Sequence, residues 1–169
     1  MVISITRFDD LETLKSETWV ERQARGTEVE LHFDRQMRIR NYHLVNQAPL
    51  HRETLEERHY PDLVAVELPG ILWQIKDGRR SGKWETVIAE DASINGCRNA
   101  INNGATAIAM WEMPDGKFYG DYINRLIPMG PISLDARNNG SGTPATKYYK
   151  RELLSLDEIL DDLLTDIPF

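Results

Sequence analysis

A chain of 169 residues, 41% hydrophobic and 28% charged, is long enough for one domain with its own core and has the balance of a globular protein. No apolar run approaches membrane-spanning length, and the opening residues are too short in apolar run for a signal peptide. The net charge of −7 is uneven: Ser155 to the end holds five acids and no Lys or Arg, so the remainder carries only about −2 and a nucleic-acid partner is not excluded.

Taken in chain order, Asp9 or Asp10 caps a helix reaching Arg25, with Leu11, Leu14, Thr18 and Trp19 inward and Gly26 as its stop. Residues 28–33 alternate as a strand, Asp34-Arg35 turn, and residues 36–45 return as a second strand. A polar stretch over 46–60 follows, with a short helix expected at 53–58. Residues 63–68 and 71–76 form a second hairpin through Pro69-Gly70. Beyond it comes a Gly-punctuated basic loop over 77–84. Residues 90–103 fit a helix with Ile94, Cys97, Arg98 and Ile101 on one side. The third hairpin, 105–112 with 118–123, turns at Pro114-Asp115-Gly116. Residues 138–146 read as a linker, and Leu153, Leu156, Leu160 and Leu163 recur at helical spacing after it.

This order predicts an α+β protein with a mainly antiparallel sheet of about six strands and a helix before the last hairpin. Both an OB-like barrel and a restriction-endonuclease-like core satisfy it. The division expected is a DNA-binding core over 1–137, a linker over 138–150 and an acidic amphipathic tail over 151–169. Cys97 is the single cysteine, so no intrachain disulfide forms and a reducing, cytoplasmic setting is expected. His32, His43, His51 and His59 show no metal-ligand spacing.

Cations interleaved with rings point to single-stranded nucleic acid, which needs charge along its phosphates and flat faces under its bases, each stacked base being worth roughly 1–3 kcal/mol. On an extended strand Arg38, Arg40 and Tyr42 share one face. Lys76, Arg79, Arg80 and Lys83 crowd a loop between Trp73 and Trp84, and Phe118 and Tyr119 lie in the last hairpin. The competing expectation for each ring is a place in the core.

The chain ends Asp161-Asp162-Leu163-Leu164-Thr165-Asp166-Ile167-Pro168-Phe169. Phe169 offers a ring and, at a chain end, a carboxylate to one apolar pocket rimmed by cations; burying the ring is worth roughly 1.5–3 kcal/mol. Through Asp161, Asp162 and Asp166 to Phe169, this end resembles the acidic tip of bacterial single-stranded-DNA-binding proteins. The resemblance implies docking to DNA replication or repair enzymes. Together these features lead to the first expectation: a bacterial or phage single-stranded-DNA-binding protein without a cofactor, able to form homo-oligomers, whose tail competes with DNA for the basic surface. A decoy that fills the tip-binding pocket of a host enzyme is a further alternative.

A different chemistry is written over residues 59–78. Pro61-Asp62 opens one strand, and its hairpin neighbour ends Gln74-Ile75-Lys76, with residues 74 and 76 on one strand face. This segment resembles the PD-(D/E)xK nuclease superfamily, which includes phage junction-resolving endonucleases. The resemblance implies that Asp62 binds Mg²⁺, that Lys76 orients water or stabilises the transition state, and that branched DNA is the substrate. Gln74 departs from the common carboxylate, leaving a further acid to come from Glu17, Glu21 or Glu67.

Overall fold

The computed structural model describes residues 19–46, 61, 63–79, 85–131 and 144–165, with side chains from Gly26 onward. Helix α1 spans Trp19–Ile39. It replaces the expected helix end at Gly26 and the two strands expected over 28–45. The alternation Val29, Leu31, Phe33 fits a strand, but Val29, Phe33 and Met37 also recur every fourth residue, and packing selects that period. All three are fully buried. Phe33 lies 5.5 Å from the Trp73 ring and 5.1 Å from Phe118, centroid to centroid. The helix ends in a left-handed turn at Asn41 (φ 67°). There Tyr42 N donates to Met37 O and Asn41 N to Arg38 O, both at 2.9 Å, satisfying carbonyls that the helix leaves open.

Strands β1 (Leu44–Asn46), β2 (Leu63–Ala65) and β3 (Ile71–Asp77) form an antiparallel meander. The chain then makes β4 (Thr86–Glu90) and helix α2 (Asp91–Asn102), and returns as β5 (Thr106–Glu112), parallel to β3. β6 (Phe118–Tyr122) closes the hairpin expected after Pro114. Gly120 is required in it, because a Cβ there would stand 1.8 Å from Ala109 O. β7 (Pro128–Pro131), β8 (Ala145–Tyr149) and β9 (Leu154–Ser155) precede helix α3 (Leu156–Thr165).

The described strands make a six-stranded sheet, ordered β1-β2-β3-β5-β6-β9, and a three-stranded sheet, β4-β8-β7. The fold is α+β, as expected. The large sheet is open, with β1 and β9 at its edges and a parallel pair at its centre, so the barrel alternative is excluded. Alternation sends Trp73, Ile75, Ile108 and Met110 toward α1 and α3. Ala107, Ala109 and Trp111 face the opposite way, into a second core with α2, Val87 and Tyr148.

The chain beyond residue 144 is more ordered in this arrangement than a linker and tail. Residues 145–149, within the expected linker, pair along β4. Ser155 and Glu158 cap α3 reciprocally, Glu158 N donating to Ser155 Oγ (3.2 Å) and Ser155 N to Glu158 Oε1 (3.1 Å). Leu156, Ile159, Leu160 and Leu163 then bury into the main core. Their burial is why a leucine repeat legible in sequence folds onto the sheet instead of projecting from it.

Candidate active site

β3 carries the residues that matter. Leu63 of β2 pairs with Trp73, so the start of β2 lies beside the second half of β3, where Gln74 and Lys76 follow. Asp62 itself lies outside the described residues. Gln74 and Lys76 alternate onto the face covered by α2. Lys76 keeps some exposure as a residue, but its ammonium is enclosed, and Nζ donates to Ser93 Oγ at 2.8 Å. Burial pushes its pKa below the usual lysine range, against the opposite pull of the Glu90 and Glu30 carboxylates.

These acids arrive from two elements. Glu90 ends β4 and stands at the N-cap of α2, yet its side chain makes no capping hydrogen bond. Glu30 is on the exposed side of α1. Neither was marked by the sequence patterns; Glu30 sits in a segment that reads as a strand, and Glu90 only becomes a neighbour of Lys76 through the β4–α2 crossover. Of the acids expected to assist, Glu17 and the side chain of Glu21 lie outside the description. Glu67 is in the β2–β3 connection, at the far end of β3 from Lys76, and accepts from His43 N and from His43 Nδ1 at 3.2 Å.

A second polar cluster fills the other face of the same strand ends. Arg79 Nε stands 3.0 Å from Asp77 Oδ1 and 3.6 Å from Glu112 Oε2. Buried Glu112 also pairs with His32 Nδ1. Gly78 N donates to Glu112 O at 2.8 Å, and a Cβ on Gly78 would stand 2.8 Å from that oxygen. This network ties the end of β3 to the end of β5.

Among the described residues, no three His, Cys, Asp or Glu side chains gather to hold a metal. The polar groups nearest in sequence and strand register to the Lys76–Ser93 contact are nonetheless hard oxygen donors, the Gln74 amide on the same strand face and the Glu90 carboxylate at the start of α2. That set fits Mg²⁺, which uses one or two carboxylates and keeps waters and phosphate oxygens as its other ligands. Cys97 adds nothing to the set: burial pushes its thiol up to about 12, leaving it protonated at neutral pH.

The expected DNA-binding surface is largely dismantled. Trp73 and Phe118 are in the core, 1% and 3% exposed, and Tyr119 is half-buried. Arg38 and Arg40 belong to the end of α1 and its turn, not to a strand face with Tyr42. Arg38 Nε pairs with Asp34 at 3.0 Å, and Arg40 reaches Asp157 through bonds of 2.6 and 3.1 Å. Lys76 is enclosed and Arg79 is held by two carboxylates. Arg80, Lys83 and Trp84 lie outside the described residues. At the chain end, Asp161 is exposed, while Asp162 accepts from Tyr122 OH at 2.6 Å and so is tied to the sheet. Asp166, Ile167, Pro168 and Phe169 lie outside the description, as do His51 and His59.

No family model matches this chain, and no curated protein matches it in sequence. Among solved structures it is similar to a Holliday junction resolvase from the archaeal hyperthermophile Archaeoglobus fulgidus. The TM-score is 0.56 at 13% identity, covering 81% of this chain and 96% of that one. At this identity the likeness is one of fold, and it agrees with the junction-resolving nucleases that residues 59–78 resemble. It overturns the first expectation, a single-stranded-DNA-binding protein: the fold is shared with a resolvase, and two of the rings meant for base stacking, Trp73 and Phe118, pack the interior. Among the described residues, no helix is long and apolar enough to cross a membrane.

Proposed function

We propose that this chain is a metal-dependent endonuclease acting on branched DNA, with Lys76 as a catalytic residue and Asp62 and Gln74 beside it in the site. One observation carries the reading: a lysine ammonium is enclosed at the end of a central strand, where it donates to Ser93 in the first turn of α2. A buried charge of this kind works against stability, so its retention points to chemistry. The resolvase-like fold and the Pro61-Asp62…Gln74-Ile75-Lys76 pattern support the same assignment.

Hydrolysis of a phosphodiester adds water at phosphorus, breaks one P–O ester bond and gathers negative charge on the phosphoryl oxygens. Lys76 supplies a fixed positive charge where that negative charge develops, within a site from which bulk water is largely excluded. A bound Mg²⁺ supplies Lewis acidity and lowers the pKa of coordinated water. Ser93 keeps the lysine side chain aimed by accepting a hydrogen bond from one of its three N–H groups.

The test is cleavage of single-stranded, duplex and four-way-junction DNA with and without Mg²⁺ or Mn²⁺, using the wild type, Lys76→Ala and Asp62→Ala. Metal-dependent cutting of the junction, lost in both variants, is the expected result. Absence of metal-dependent cutting on all three substrates would sink the proposal.

A further inference from the structure

We propose that Glu90 supplies the carboxylate that position 74 lacks, completing the cation-binding set around Lys76 from the start of α2. This rests on the nuclease reading and names a residue for it that the sequence pattern does not contain.

The argument begins with what β3 cannot provide. Gln74 lies on the same face as Lys76, and its side-chain oxygen can ligate a cation but neutralises no charge. The acids at the neighbouring strand ends are already engaged on the other face: Asp77 with Arg79 at 3.0 Å, and Glu112 with His32 and Arg79. The missing charge must come from an element laid over the α2 face.

α2 is that element, and its first turn is fixed in place. Asp91 N donates to Pro144 O at 3.0 Å, and Thr146 Oγ1 donates to Asp91 Oδ1 at 2.6 Å. Glu90 itself is held in the β4 ladder opposite Ala145. Ser93 touches Lys76 Nζ, and Glu90 stands three residues earlier, on the same side of the turn. The Glu90 side chain is half-buried and takes no part in capping α2. A carboxylate three residues before the lysine's hydrogen-bond partner, mounted on a fixed turn and not used as a cap, supplies the charge that a β3 acid would have contributed.

Mn²⁺ titration followed by electron paramagnetic resonance, on the full chain, tests this independently of cleavage. Glu90→Gln keeps the shape and is expected to weaken Mn²⁺ binding by at least about tenfold, with an unchanged circular-dichroism melt. Adding Gln74→Glu to that variant is expected to restore binding, because it returns a carboxylate to the same site. Glu90→Asp, which keeps the charge but withdraws the carboxylate by one methylene, is expected to bind more weakly than wild type. Wild-type Mn²⁺ affinity in Glu90→Gln, or no recovery in the double variant, overturns the inference; if junction cutting persists in those samples, the nuclease reading stands without it. A wild type that neither binds Mn²⁺ nor cuts removes both.

Discussion

Lys76 Nζ donates to Ser93 Oγ across 2.8 Å, and this bond joins the central strand of the large sheet to the first turn of the helix that covers it. The two residues are seventeen positions apart, separated by a basic loop and the strand β4. Any force that moves α2 on the sheet therefore moves the group that aims the lysine.

Replacing Lys76 with Met is expected to abolish cutting and to raise stability at neutral pH by roughly 0.5–2 kcal/mol, since a residue kept for chemistry is often a structural burden. The folded-state pKa of Lys76 lies below its ordinary value of 10.5. Between those values the unfolded chain binds more protons, so the wild type gains stability as pH rises through that window and carries the full penalty below it. Urea unfolding across the alkaline range should show this rise in the wild type and not in Lys76→Met.

Glu112 is the hub of the network on the other face. Glu112→Ala leaves Arg79 paired with Asp77 and removes the carboxylate partner of His32, in surroundings where Glu112 is only 6% exposed. Breaking a buried pair from one side costs about 3–5 kcal/mol, and urea denaturation should read a loss near the lower figure because Asp77 remains. A loss below about 1.4 kcal/mol, one decade in the folding constant, would mean that the network does not hold the strand ends.

Arg40 acts as a strut between α1 and α3. Its hydrogen bond to Asp157 holds that carboxyl below the ordinary 3.8. A lowered folded value means stability that is present above the ordinary pKa and lost as pH falls through the folded one. Asp157 is 69% exposed, so Asp157→Asn is expected to cost no more than about 1 kcal/mol, and only above that acid window. Arg40→Gln should leave the salt dependence of DNA binding unchanged, whereas a phosphate contact would lower the slope by about one.

Trp73 and Trp111 are equally buried but differently satisfied. Trp111 Nε1 donates to Ile88 O at 3.0 Å, linking the two sheets, while Trp73 Nε1 has no acceptor among the described residues. Substitution by Phe removes a made bond at 111 and an unmade one at 73. Trp111→Phe is expected to cost more than Trp73→Phe by about 1–2 kcal/mol in chemical denaturation. Equal costs would show that Trp73 has a partner outside the described residues.

Patterns confined to a few adjacent residues carried through from sequence to structure. The strands around residues 63–65 and 71–77, the helix from Asp91 and the Pro114 hairpin were legible because periodicity and turn chemistry are local. So was the placement of Gln74 and Lys76 on one face, which follows from the strand repeat itself. The long first helix was not, because Val29, Leu31 and Phe33 satisfy two periods at once; contact with Trp73 and Phe118 decides between them. Rings that looked suited to stacking on bases went to the core for the same reason, since hydrophobic burial is settled by the partner surface and not by composition. Ser93 gained its place against Lys76, and Glu90 its place three residues before it, only when the β4–α2 crossover closed over the strand end. Electrostatic neighbourhood depends on distance in space, and a single sequence orders its residues only along the backbone.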